Sequence, residues 1–244
     1  WPRRAGSLRL EKAWDTEHDG VRFAAYDFNS QVSIRLRMYV AHKTGLAKPE
    51  AVHLEVLNEA AWEQYLKMGR PAFAKQWAEE LQLAGIDADA PVPAKLSETL
   101  TKQMKYVREH PEVYVTFMPR GTGLSKLTQN QKHLTQTRRR FMLLGQTLAG
   151  QQVWDVRRCI RTLRTLRNCT EAPLELWGYG NTASHVTLAS LFEKDIRKLN
   201  LRDYPATDRE QPDYLNISRF ATPAQLLNLA KRKTEVKIVG RKQK

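Results

Sequence analysis

Pro173-Leu174-Glu175-Leu176-Trp177-Gly178-Tyr179-Gly180 is the stretch that decides the fold. It is an apolar run of strand length that passes through two glycines, and Ala183 to Phe192 behind it reads as a helix beginning on that turn. A strand that turns directly into a helix is the joint of a parallel sheet, whose neighbouring strands are reached only by a crossover. Upstream, Val32, Ile34, Leu36 and Met38 alternate with Ser33, Arg35, Arg37 and Tyr39, which predicts a strand over Gln31 to Val40 with one wet face. Ala51 to Leu57 reads as a second strand, with Asn58 as a helix cap. Val113 to Met118 is β-branched and aromatic, and stops at Pro119-Arg120-Gly121-Thr122-Gly123.

Helical spacing fills the gaps. Ala60 to Leu83 carries Trp62, Leu66, Phe73, Trp77 and Leu81, with Gly69-Arg70-Pro71 expected to split it in two. Ala94 to Glu109, Arg139 to Ala149 and Val153 to Arg167 follow as helices. Ile196 to Tyr204 alternates as a strand, short helices are expected near Asp213 to Phe220 and Pro223 to Lys231, and Val236 to Val239 closes the pattern as a last strand. Strands separated by helices predict the α/β class, a mainly parallel sheet with helices on both faces. Residues 1–30 are weakly patterned and read as an extension or linker, 31–239 as one domain, and 240–244 as a basic tail.

With 244 residues, 41% hydrophobic and 27% charged, the chain has a globular composition and the length to bury a large core. No apolar run approaches a membrane span, so no membrane insertion is expected. Cys159 and Cys169 are too few for a disulfide framework and lack zinc-ligand spacing, so neither a metal nor another cofactor is expected. Trp1-Pro2-Arg3-Arg4 has neither an initiator methionine nor a signal-type sequence, the look of a processed or partial chain. The net charge of +14 is concentrated. Arg120 to Arg167 holds eleven basic residues against Asp155 alone, and Lys231 to Lys244 holds seven against Glu235, which leaves the remainder slightly acidic.

In parallel sheets ligands gather at the carboxyl ends of strands, so the turns there carry the chemistry. Arg120-Gly121-Thr122-Gly123 could cradle a phosphate with backbone N–H groups, but it lacks a Gly-Lys-Ser/Thr ending, and a ligand-free tight turn is the stronger reading. Gly178-Tyr179-Gly180-Asn181-Thr182 stands where a Gly-x-Ser-x-Gly nucleophile elbow would stand, with Gly180 at the serine position and Thr182 at the second glycine. Ser184 and His185 are adjacent, but neighbours on a helix point about 100° apart, so they read as packing residues rather than a catalytic pair. His53 reads as a satisfied sheet histidine and His133 as exposed. Asp203 and Asp208 are the acids that could orient a base, Asp208 being also a plain turn residue.

These pieces in this order resemble the α/β-hydrolase family: Arg-Gly-Thr-Gly after a strand, Phe141-Met142-Leu143-Leu144-Gly145-Gln146-Thr147, Val153-Trp154-Asp155-Val156-Arg157-Arg158, the Gly-x-Gly turn, and Ala189-Ser190-Leu191-Phe192-Glu193. The resemblance covers roughly Phe28 to Val239. It is similar to the acetylxylan-esterase-like and prolyl-oligopeptidase-like branch, above all to degenerate hydrolase-like domains toward the C-terminus of large secreted bacterial esterase-like proteins. It implies a secreted or periplasmic setting. It also places the family's serine on Gly180, while no histidine follows His185, so the Ser, Asp/Glu, His order is not completed within these residues.

Three readings follow. One is a non-catalytic accessory or structural domain, partnered by an adjoining esterase-like domain or subunit. Another is a carboxylesterase whose triad is completed outside the chain. The third is a module that binds an acidic polymer. Arg138, Arg139, Arg140, Arg157, Arg158, Arg161 and Arg164 have almost no acids nearby in sequence, and a guanidinium suits carboxylate or phosphate, so they are the expected partner or polyanion contacts. No zinc-finger, RNP-like or helix-turn-helix pattern accompanies them.

Overall fold

The computed structural model describes residues 6–127 and 130–240. Among these residues eight strands form one sheet: β1 (Glu11–His18), β2 (Val21–Gln31), β3 (Ile34–Lys43), β4 (Ala51–Val56), β5 (Glu112–Phe117), β6 (Leu174–Tyr179), β7 (Ile196–Arg202) and β8 (Glu235–Val239). Their order is β1-β2-β3-β5-β4-β6-β7-β8. The pairs from β1 to β5 through β2 and β3 are antiparallel, and all pairs from β5 to β8 are parallel. The α/β class with a mainly parallel sheet is as the sequence predicts.

Residues 11–31, read from sequence as part of an extension, supply the first two strands instead. Asp19 and Gly20 both have positive φ, the geometry of a tight hairpin whose twist matches the strands it joins. The domain boundary drawn at residue 31 therefore falls at the end of β2, inside the sheet. Of the tail, only Gly240 is among the described residues; 241–244 lie outside them.

Among the described residues seven helices cover the two faces. α1 (Glu59–Phe73), α2 (Ala78–Ala84) and α3 (Ala94–Glu109) lie on one side. On the other, α5 (Leu148–Leu163), α6 (Asn181–Phe192) and α7 (Pro223–Lys231) bury the larger core, preceded by α4 (Gln131–Leu143). This two-sided cover corrects the wet face expected of β3. Met38 and Val40 enter the core with α5 and α6, while Tyr39 is fully buried on the opposite side against Trp62 and Trp77. Arg37 is satisfied by Asp27 at 2.7 Å and Glu80 at 3.1 Å.

Other boundaries moved for local reasons. Pro71 sits inside α1, and the break falls after Phe73, while the Arg70 side chain donates to the carbonyls of Asp87 and Pro91. The helix expected over Arg139 to Ala149 is two pieces. α4 ends before Gly145 at φ +66°, and Thr147 caps α5 by accepting from the Gly150 N–H at 3.1 Å. α5 stops at Leu163, and the segment from Asp213 to Phe220 contains only a 3-10 turn, Ile217–Arg219.

The ends of β2 and β5 are tied to α5 by a buried ion pair. Asp155 is fully buried and accepts from Arg120 three times: the backbone N–H at 2.9 Å, Nε at 2.8 Å and Nη2 at 2.6 Å. Ser30 donates to the same carboxylate, and Arg120 Nη1 donates to Gln31 Oε1 at 2.8 Å. Breaking a buried pair leaves one charge uncompensated, which typically costs about 3–5 kcal/mol. Asp155→Asn is therefore expected to lower the urea unfolding free energy by about that amount, and the double change Arg120→Met with Asp155→Leu to lose distinctly less, since no charge remains stranded.

Candidate functional site

The elbow forms where β6 meets α6. Gly180 has φ +54° and ψ −115°, and its N–H donates to the Arg202 carbonyl of β7 at 2.9 Å. A side chain there would be strained, yet its Cβ would meet nothing within 4 Å. The position thus projects into open space, as a nucleophile position does, with no nucleophile on it. Two residues earlier the constraint is steric. A Cβ on Gly178 would lie 2.6 Å from the Thr182 carbonyl and 2.7 Å from Ala183, so the strand can approach the helix only as glycine. Thr182, where a second glycine is usual, uses its hydroxyl as a brace: it accepts from the Tyr179 N–H at 2.8 Å and donates to the Val56 carbonyl at 2.7 Å.

Asn181 lines a cavity of about 340 Å³ beside the elbow, closed by Phe141 and Met142 of α4, by Gln152 of α5 and by Pro212 and Asp213. Among the described residues its lining holds no serine, cysteine or histidine, and its hydroxyls are those of Thr135, Thr137 and Thr147. Arg138, at its rim, is paired with Asp213. Asp203, the residue after β7, has φ +53° and donates its N–H to the Val239 carbonyl; Asp208 accepts from Gln211 at 3.0 Å, a turn role. Neither acid lines the cavity.

The histidines are engaged elsewhere. His185 is buried in α6 with Nδ1 2.6 Å from the Tyr214 hydroxyl, and burial lowers its pKa to about 3. A neutral imidazole accepting from Tyr214 fits both facts, and a base that weak is unsuited to take a hydroxyl proton at neutral pH. His53 packs on Tyr114 between Glu112 at 3.1 Å and Glu175 at 3.5 Å. His133 is exposed on α4. No group of His, Cys, Asp and Glu among the described residues could hold a metal ion, and no described helix is long and apolar enough to cross a membrane.

The Arg120-Gly121-Thr122-Gly123 turn spends its donors internally. The Gly121 N–H bonds to the Ser125 carbonyl at 3.0 Å and the Gly123 N–H to Glu59 at 3.1 Å, while both glycines take positive φ. It is a tight turn whose arginine points inward to Asp155.

Most of the α5 arginine stripe is also satisfied within the chain, which removes the motive for reading it as an open contact surface. Arg157 and Arg161 share Glu193, at 2.6 and 3.1 Å. Arg158 is buried and donates to the Gly6 carbonyl at 2.7 Å and the Asn29 carbonyl at 3.1 Å, and burial lowers its pKa. Arg164 donates to the carbonyls of Cys169, Thr170, Ala172 and Asp195. Arg139 and Arg140 remain as exposed cations on α4. Sequence distance hid these partners: Glu193 lies on the far end of α6, and backbone carbonyls leave no signature in sequence.

Two outcomes check this geometry. Gly178→Ala is expected to leave little folded protein, because backbone rather than a flexible side chain blocks its Cβ, while Gly180→Ala folds with a cost of about 1–3 kcal/mol from its φ alone. For His185, the unfolded side chain takes up a proton as pH falls below about 6.5 while the folded one stays neutral to about pH 3, so its contribution is complete above pH 6.5 and is lost on acidification. Wild type is expected to lose about 2 kcal/mol more than His185→Gln between pH 7 and pH 5, read from urea midpoints at each pH.

No family model matches the chain, and no curated protein matches it. Solved structures do. A Bacteroides fragilis protein assigned as an acetyl xylan esterase superposes with a TM-score of 0.70 at 10% identity, over 97% of this chain and 63% of that one. A glucuronoyl esterase from Solibacter usitatus gives 0.60 at 12% identity over 100% and 71%, and one from Teredinibacter turnerae gives 0.57 at 11% over 100% and 63%. The chain thus spans less than two thirds of the length of the first of these. Strand order, the β6–α6 elbow and these superpositions agree: the chain has the α/β-hydrolase fold in the form shared with acetyl xylan and glucuronoyl esterases.

Proposed function

We propose that this chain is an α/β-hydrolase-like domain that does not cleave esters with its own residues and serves an adjoining esterase-like domain or subunit as an accessory or structural partner. The observation that carries this reading is Gly180, which holds the elbow conformation without a nucleophile. The neighbouring cavity adds support: its lining hydroxyls are those of Thr135, Thr137 and Thr147, and no histidine stands among the described lining residues to activate one. A polyanion-binding role loses support, because most of the arginines that suggested it are held by Glu193, Asp213 and backbone carbonyls.

The rival with a specific observation behind it is an esterase completed from outside the chain. The elbow geometry is kept, and its neighbours in structure include described esterases. Under that reading a partner would have to bring both nucleophile and base to Gly180.

The test is direct. The chain is expected to turn over p-nitrophenyl acetate no faster than a denatured control and to escape labelling by a fluorophosphonate. Gly180→Ser is expected to leave turnover at that level, because a hydroxyl without a positioned base forfeits about 10² to 10⁴ in rate. Labelling of the wild type at any serine, or esterase turnover from Gly180→Ser alone, would overturn the accessory reading.

A further inference from the structure

A second hollow lies on the opposite side of the sheet from the Asn181 cavity, between β2–β3, α1 and α3. It measures about 500 Å³, within the range of sites that hold small organic molecules. Its walls are aromatic. Phe23, Phe73 and Trp77 pack within 4.5–5.6 Å of one another, and Tyr65 meets Trp77 at 5.2 Å. Gly69 makes the room: any Cβ there would fall 2.4 Å from the Trp77 ring, so the indole rests on bare backbone. Leu100 and Met104 of α3 close the opposite side.

One wall carries a carboxyl group. Glu55 of β4 lines the hollow and accepts from the Tyr179 hydroxyl through Oε1, and burial raises its pKa. Its other oxygen, Oε2, has no hydrogen-bond partner among the described residues. No salt bridge to Glu55 forms among the described residues: Arg202 lies over the Tyr179 ring, and Lys102 is exposed where α3 borders the hollow. Glu55 is only partly buried, so its free oxygen is open to the hollow, where an ionised donor makes a stronger hydrogen bond than a neutral one. The remaining surface is aromatic, and aromatic faces attract organic cations.

We infer that this hollow is a binding site for a small apolar amine, its ammonium group donating to Glu55 Oε2 and its hydrocarbon or ring body lying against Phe23, Phe73 and Trp77. An alcohol of the same shape supplies a neutral donor and binds more weakly. A carboxylate meets Glu55 with like charge and binds weakest. The site meets the elbow at the Tyr179 hydroxyl on Glu55, and the inference stands whether or not the accessory reading does.

Trp77 in the wall is a built-in reporter. The chain is titrated at pH 7.5 with 4-phenylbutylamine, 4-phenylbutanol and 4-phenylbutyrate, following tryptophan fluorescence and heat. The amine is expected to bind about tenfold tighter than the alcohol, as a charge-assisted hydrogen bond allows, and the acid more weakly still. Leu100→Trp, which fills the hollow from a partly buried position, is expected to abolish binding of all three. Glu55→Gln is expected to bring the amine down to the alcohol while leaving the alcohol unchanged. Equal affinity for the three compounds in the unaltered chain, no binding at millimolar concentration, or an amine affinity indifferent to Glu55→Gln would each overturn the inference. The comparison in the unaltered chain decides even if Glu55→Gln fails to fold.

Discussion

The ion pair between Arg120 and Asp155 is the constraint on which the arrangement around the elbow depends. Asp155 lies fully buried on α5, and Arg120 ends the chain's exit from β5, with Ser30 at the end of β2 joined to both and Gln31 to Arg120. Trp154 extends the same knot by donating to the Ser30 carbonyl at 3.0 Å, and Gln152 by donating to the Arg120 carbonyl at 2.9 Å. One carboxylate thereby fixes two strand ends against the helix that leads to β6. A pair this dry earns its place by geometry rather than raw stability, because a guanidinium fork on a carboxylate accepts one orientation and a hydrophobic replacement accepts several.

The elbow downstream shows a different economy. Gly178 is demanded by the backbone of Thr182 and Ala183, and Thr182 ties the turn to β4 through Val56, so the joint is enforced from both sides. Gly180 is under no such steric demand. A side chain there would have space and would suffer only from φ +54°. In a working elbow that strain is tolerated because it aims a nucleophile. With glycine the same turn is reached without that strain, so the fold keeps the shape at less cost.

What could be read from sequence follows from how local each cause is. The β6–Gly–α6 joint, α3 and α7 were legible because pattern and caps lie within a few residues. The β1–β2 hairpin carried a local signal too, the Asp19-Gly20 pair of a tight turn, but its flanks, Trp14 to His18 and Val21 to Ala25, lack clean alternation because β2 is buried on both faces. Tyr39 misled for the same reason: a strand covered on both faces shows alternation without a wet side. The arginine partners were beyond sequence altogether. Glu193 is more than thirty residues from Arg157 and Arg161, and Arg164 is held by carbonyls that every residue possesses.

That last point changes what the basic charge means. Concentrated arginine in a sequence invites a polyanion, yet Arg158 and Arg164 act here as hydrogen-bond hubs that finish the loose carbonyls of Gly6, Asn29, Cys169 and Ala172. Such carbonyls need donors when they are buried, and one guanidinium offers five. Placing a cation among carbonyl oxygens also offsets part of its own desolvation, which an apolar donor-poor side chain could not do for them. Arg157 and Arg161 meanwhile neutralise a single glutamate at the end of α6, drawing that helix onto α5. The charge that the sequence displays as a stripe is thus largely spent on joining α5 to its neighbours, while Lys132, Arg139 and Arg140 stay exposed on α4 beside the paired Arg138.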